Sequence, residues 1–229
     1  MKINDPILLK KIEMLIFHDG DVRPVWVSSG DTDVVAFKKY LKWAKEHFAL
    51  YEGFFNVIDK EKKINILDLG CGCGYCTIET SNVFNNANIV GVDIDSQSID
   101  FANEHNKNEK IEYVCADISN IKYQDYDIVF LIETLEHIKH NKHNSLLDNC
   151  IKFLNEDGLL CICTPNEQTF SGGERGHVGI LTNEYFNKFK ERYKNNIVAI
   201  KYYDNKKLLD GDYTSNDDTM SHFKIIMKK

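Results

Sequence analysis

Residues 64–78 read INILDLGCGCGYCTI. INILDL is a short apolar run that stops at a glycine turn, which predicts a buried strand over 64–69. Gly70, Gly72 and Gly74 then form a turn before a helix that starts near Tyr75. Glycine at such a junction lets the backbone turn sharply and approach a ligand, and the first helical turn offers free N–H groups. A tight turn with no ligand would look the same, so the next acidic residue matters. Nineteen residues after Gly74, the run ANIVGVD ends in Asp93, the place from which a carboxylate reaches ribose hydroxyls in sheets of this kind. A dinucleotide fingerprint, G-x-G-x-x-G, would need a third glycine at position 75, which is Tyr75. The spacing here is G-x-G-x-G, which speaks against a nicotinamide enzyme.

The pattern repeats downstream. IEYVCAD, YDIVFLI and GLLCICT are further short apolar runs with helical stretches between them, which predicts a parallel sheet with crossover helices. NIVAIKYY and SHFKIIMKK, joined by a polar loop at 204–218, would close it as an antiparallel pair. Upstream, residues 4–16 and 33–59 carry apolar positions three and four apart, predicting two helices before the first strand. The expectation is an α/β fold: a doubly wound, seven-stranded, mostly parallel sheet over 61–229, with an N-terminal helical cap over 1–60.

Composition narrows the classes. The 229 residues are 43% hydrophobic and 28% charged with only 3 prolines, so a disordered chain, a collagen-like chain and a small disulfide scaffold are excluded. No stretch reads as a membrane span or secretory leader, and the expected location is cytoplasmic. The net charge of −7, with Arg23, Arg175 and Arg192 as the only arginines, argues against a nucleic-acid partner, which needs a dense basic surface. Seven cysteines read as reduced thiols. Cys71, Cys73 and Cys76 crowd the glycine turn but lack the distant second pair of a zinc ribbon, so they read as small hydrophobes.

From about Ile64 onward the chain resembles the class I S-adenosylmethionine-dependent methyltransferases. That resemblance implies that Asp68 and the backbone of Gly70, Gly72 and Gly74 hold the methionine part of S-adenosylmethionine, and that Asp93 accepts its ribose hydroxyls. It places Ile94 on the adenine face, Asp117 at the adenine amino group with Ile118 beside the ring, and the backbone of Leu131 near the cofactor's amino group. Asp117 also reads as a helix N-cap.

After the fourth strand comes LIETLEHIKHNKH. Read as a helix, it puts Glu133, Glu136 and His137 at i, i+3 and i+4 on one face, where two carboxylates and an imidazole suit a divalent ion as well as a solvated acidic surface. The E-x-x-E-H motif resembles a subgroup that includes the small-RNA terminal 2′-O-methyltransferases and the ubiquinone-pathway O-methyltransferases. In that subgroup these residues bind a divalent ion, with a further histidine from the loop after strand five. His177 matches that histidine, and Mg, Mn or Zn is the implied metal. Such an ion lowers the pKa of a bound hydroxyl. His137, His140 and His143 are candidates for the group that takes the proton, His137 being also a ligand candidate. The expected partner is a small hydroxylated substrate such as a sugar or nucleotide-linked sugar. Alternatives are an RNA-terminal 2′-O-methyltransferase, a ubiquinone-type catechol O-methyltransferase and a cofactor-binding module without catalysis. Trp26, Tyr40, Trp43 and Tyr51 are available as an acceptor wall, and Arg23 and Lys42 could meet a phosphate.

Overall fold

The computed structural model describes residues 45–166, 177–179, 182–203 and 222–229. The expected helix at 4–16, the residues Arg23, Trp26, Tyr40, Lys42 and Trp43, and the loop at 204–218 lie outside the described residues. In chain order the elements are α1 (45–52), β1 (Ile64–Leu69), α2 (Tyr75–Val83), β2 (Ala87–Asp93), α3 (Ser96–His105) and β3 (Ile111–Cys115). There follow β4 (Tyr126–Ile132), α4 (His140–Phe153), β5 (Leu154–Pro165), α5 (Asn183–Arg192), β6 (Ile197–Tyr203) and β7 (His222–Lys228). Helix α1 stops at 52 rather than continuing to 59. A 3-10 turn at Phe55–Val57 follows it.

Seven strands form one sheet in the order β3-β2-β1-β4-β5-β7-β6. Strands β1 to β5 pair in parallel, while β7 runs antiparallel between β5 and β6. The central parallel strands β1, β4 and β5 read as largely apolar runs because both faces are covered, while the edge strand β3 alternates buried and exposed residues. Ile66, Phe130 and Cys161 face the side where Tyr51, Phe54 and Phe55 of the cap segment pack, with Phe55 against Phe84 at 4.9 Å. Leu67, Leu69, Leu131 and Ile162 face the other side, against Leu146 and Leu147 of α4 and Phe186 and Phe189 of α5. The chain order reverses between β1 and β4. At such a switch point the carboxyl ends of the strands open a crevice, and ligands of doubly wound sheets bind there.

Candidate active site

The glycine turn sits at that switch point. Gly70, Gly72 and Gly74 have φ of 79°, 53° and 75°, a region costly for other residues. A Cβ on Gly70 would overlap the side chain of Thr134. Glycine at 70 is thus required by the close approach of Thr134 as well as by its positive φ. Gly70 and Cys71 donate their N–H groups to the Val92 carbonyl, and Gly72 donates to Asp93 Oδ2 at 2.8 Å. Asp93 Oδ1 accepts from Asp95 N at 2.9 Å, so the carboxylate at the end of β2 is fixed at the mouth of the turn. Ile94, next in sequence, is 70% exposed, an apolar surface at the same mouth. Asp117 accepts from Ser119 N at 2.8 Å and from Asn120 Nδ2 at 3.1 Å, and the Ser119 backbone bond holds its carboxyl below the usual range. No helix follows it among the described residues; Asp117 closes a turn. Ile118 and Leu131 are buried.

Asp68 faces inward. Its oxygens accept from Tyr51 Oη at 2.9 Å and Thr77 Oγ1 at 2.6 Å, and burial raises its pKa to about 6. It ties α1, β1 and α2 together beneath the turn. Burial holds the Cys71 and Cys76 thiols well above their ordinary pKa, so both stay protonated.

The segment after β4 is not one helix, which corrects the i, i+3, i+4 expectation. Glu133 has φ 50°, and its N–H donates to the Cys163 carbonyl, so it continues the sheet and then turns. Thr134 Oγ1 shares its proton between the Leu69 and Ile132 carbonyls, anchoring the turn to β1. Leu135–His137 form a 3-10 turn, and α4 begins only at His140.

This turn nevertheless brings ligand-type atoms together. Glu136, His137 and His177 each offer one ligand atom, all within 4.8 Å of one another. Glu136 is 1% exposed, its Oε2 accepts from Thr164 Oγ1 at 3.0 Å, and the His137 and His177 rings meet at 4.9 Å. The loop carrying His177 is clasped to the turn by Gly179, whose N–H donates to the Glu136 carbonyl at 2.8 Å. Glu133 stands outside that triplet. Its Oε2 lies 3.4 Å from His222 Nε2, and its Oε1 is buried without a hydrogen-bond partner. Burial raises the Glu133 pKa, but the His222, His47 and His177 imidazoles outweigh it and hold the group low. Glu136, buried and beside the Glu133 charge, is pushed well above the usual value. The two carboxylates thus share one charge, which a cation would relieve.

The other histidines separate by packing. His143 is fully buried with Nε2 2.7 Å from the Ile138 carbonyl, and burial lowers its pKa, so it braces the turn and does not face an acceptor. His140 stacks on Tyr185 at 4.4 Å. His222, His47, Thr164 and Gly179 were not found from sequence. Only the position of His222 at the start of β7, on the carboxyl edge, could have signalled it.

Residues 66–158 match the family described as "Methyltransferase domain". That match spans less than half of the chain, and the fold is that of S-adenosylmethionine-dependent methyltransferases. The chain is 27% identical over 141 residues to a malonyl-[acyl-carrier protein] O-methyltransferase of Bacillus anthracis, covering 59% of this chain and 52% of that protein. It is 31% identical over 120 residues to the mitochondrial ubiquinone biosynthesis O-methyltransferase of Saccharomyces cerevisiae, covering 50% of this chain and 38% of that one. The chain thus spans about half the length, or less, of these curated relatives. Among solved structures, the plantazolicin methyltransferase BpumL in complex with a monoazolic desmethylPZN analog and SAH superposes with a TM-score of 0.65 at 15% identity, over 97% of this chain and 96% of that one. A TehB-like SAM-dependent methyltransferase from Corynebacterium glutamicum gives 0.60 at 17% identity, over 84% and 95%. These structural likenesses establish a shared fold.

Proposed function

We propose that the methyltransferase domain transfers a methyl group from S-adenosylmethionine to a hydroxyl of a small polar metabolite such as a sugar or nucleotide-linked sugar, assisted by a divalent ion. The observation that carries this reading is the convergence of Glu136, His137 and His177 at the end of β4, joined to the glycine turn through the contact of Thr134 with Gly70.

The residues present fit both groups. For the cofactor, the backbone of Gly70, Gly72 and Gly74, with Asp68 beneath it, is the cradle for the methionine part, Asp93 the acceptor for ribose hydroxyls, Ile94 and Ile118 the apolar flanks of the base, and Asp117 the acceptor for its amino group. The backbone of Leu131 lies near its amino acid end. For the ion, the unpartnered Glu133 Oε1 and the mixed carboxylate–imidazole triplet suit Mn, Zn or Mg, with Glu133, Glu136, His137 and His177 as ligands. S-adenosylmethionine supplies an activated sulfonium methyl, and a divalent ion supplies a lowered hydroxyl pKa. What remains for this chain is to orient the acceptor oxygen and exclude water. It must also receive a proton; with His137 engaged as a ligand of the ion that role falls to another group, and His140 is the candidate, His137 serving only if it does not ligate.

A second reading rests on the relatives named malonyl-[acyl-carrier protein] O-methyltransferases. A carboxylate acceptor is already ionised and needs no ion. A methyl-transfer screen of sugars, nucleotide sugars, small RNAs and carboxylic acids, with and without EDTA, separates the readings. Hydroxyl methylation abolished by EDTA supports the first; EDTA-insensitive ester formation supports the second. RNA as the sole acceptor, or no turnover with any acceptor, would refute both.

A further inference from the structure

We propose that His222 is a positioning residue that holds the Glu133 carboxylate so that its free oxygen is presented to a cation at Glu136, His137 and His177. The inference rests on the divalent-ion reading above. Glu133 is set by its backbone: it leaves β4 at φ 50° with its N–H bound to the Cys163 carbonyl. Its Oε2 meets His222 Nε2 at 3.4 Å, while Oε1 is buried and accepts no hydrogen bond. A buried carboxyl oxygen that accepts no hydrogen bond is costly unless something positive completes it.

His222 is well built for holding. It opens β7, paired with Pro165 of β5 and Tyr203 of β6, and antiparallel β7 brings its first residue to the edge where β4 ends. Its side chain is 3% exposed, and the next residue, Phe223, stacks on Phe186 at 4.0 Å. Among the described residues the ligand-type group comprises Glu136, His137 and His177; Glu133 borders it with its unpartnered Oε1, and His222 stands behind Glu133 at 3.4 Å. The imidazole thus acts through Glu133: an N–H at Nε2 bonds Oε2 and leaves the lone pairs of Oε1 for the ion. Outer partners of this kind fix the direction and basicity of a ligating carboxylate.

The test titrates Mn2+ into the full chain by calorimetry and electron paramagnetic resonance, with S-adenosylhomocysteine affinity measured in parallel on each variant. H222L, which removes the donor, should weaken Mn2+ binding by about 10–100-fold, with the S-adenosylhomocysteine affinity unchanged. H222Q, whose amide restores an N–H, should recover most of it. In an E133A background H222L should add nothing, because a residue acting through Glu133 has nothing left to act on. Wild-type Mn2+ affinity in H222L would overturn the inference, as would equal losses in H222L and H222Q or additive losses with E133A. If H222L does not fold, H222F, which also removes the donor, and its double variant with E133A decide by the same criteria. Failure of the wild-type chain to bind Mn2+ would overturn the divalent-ion reading, and this inference with it.

Discussion

Asp68 and Lys224 show how single side chains set the terms of this fold. Asp68 carries hydrogen bonds from Tyr51 and Thr77 deep under the glycine turn. Replacing Tyr51 with Phe removes one donor from a buried carboxyl, so urea unfolding should show a loss of about 1.5–3 kcal/mol, and the Asp68 pKa should rise beyond about 6. Lys224 is 6% exposed, its Nζ 4.4 Å from the centre of the Phe54 ring, and desolvation, with Lys201 adding, lowers its pKa to about 8. An unfolded chain keeps a lysine proton to roughly pH 10.4, so between about 8 and that value the unfolded state binds more protons. Stability contributed at this site therefore rises with pH across that window, and the fold bears the full cost of the buried ammonium below it. Lys224→Met should stabilise the protein at pH 7 by about 1–3 kcal/mol, an advantage that fades toward pH 10. Chemical denaturation at both pH values checks it; an unchanged or lower stability at pH 7 would show the ammonium to be satisfied where it lies. Neither residue's environment was readable from sequence. Asp68 stands 17 positions from Tyr51, and the alternation that predicts β7 gives no sign that its lysine points into an aromatic cluster.

At the scale of elements, the strands were legible and the turn after β4 was not. INILDL, ANIVGVD and YDIVFLI announce themselves because a strand covered on both faces has nowhere to put a polar run. The segment 133–138 has the spacing of a helix face, but spacing cannot report that the Glu133 N–H is already taken by Cys163 or that Thr134 is bonded back to Leu69. Tertiary partners override the local pattern there, and the same partners create the site. Gly179 shows how tightly. A Cβ at this position would collide with the Ile138 carbonyl and crowd His143 Nε2, the two groups that brace the turn. Gly179→Ala should lift the His177 loop from Glu136, costing about 1–3 kcal/mol of stability and weakening Mn2+ binding, while S-adenosylhomocysteine still binds. Thermal denaturation with parallel metal and cofactor titrations reads all three. Intact metal affinity would mean that His177 is placed by other means or does not ligate.

Across the whole molecule, the residues assigned to the cofactor and those assigned to the ion occupy different halves of one sheet. Asp93, Ile94, Asp117 and the glycine turn belong to β1, β2, β3 and their exits. Glu133, Glu136, His137 and His177, with His222 behind them, belong to β4, β5, β7 and theirs. The halves touch where Gly70 lies against Thr134, at the switch point between β1 and β4. Sequence order disclosed this division, since the glycine turn and the E-x-x-E-H motif follow strands that become neighbours only in the doubly wound order. It predicts a double dissociation. Asp93→Ala removes charge-assisted hydrogen bonding of which one bond is worth about 1.5–3 kcal/mol, so S-adenosylhomocysteine affinity should fall at least roughly 10–100-fold while Mn2+ binding persists. Glu136→Ala should abolish Mn2+ binding and turnover, as EDTA does, and leave S-adenosylhomocysteine affinity at the wild-type value. Calorimetry with each ligand on each variant fills the four cells. If Asp93→Ala loses the metal as well, or Glu136→Ala loses the cofactor, the two sites are one mechanical unit through Gly70 and Thr134. If Glu136→Ala turns over normally, the carboxylates at the end of β4 serve the fold and not the reaction.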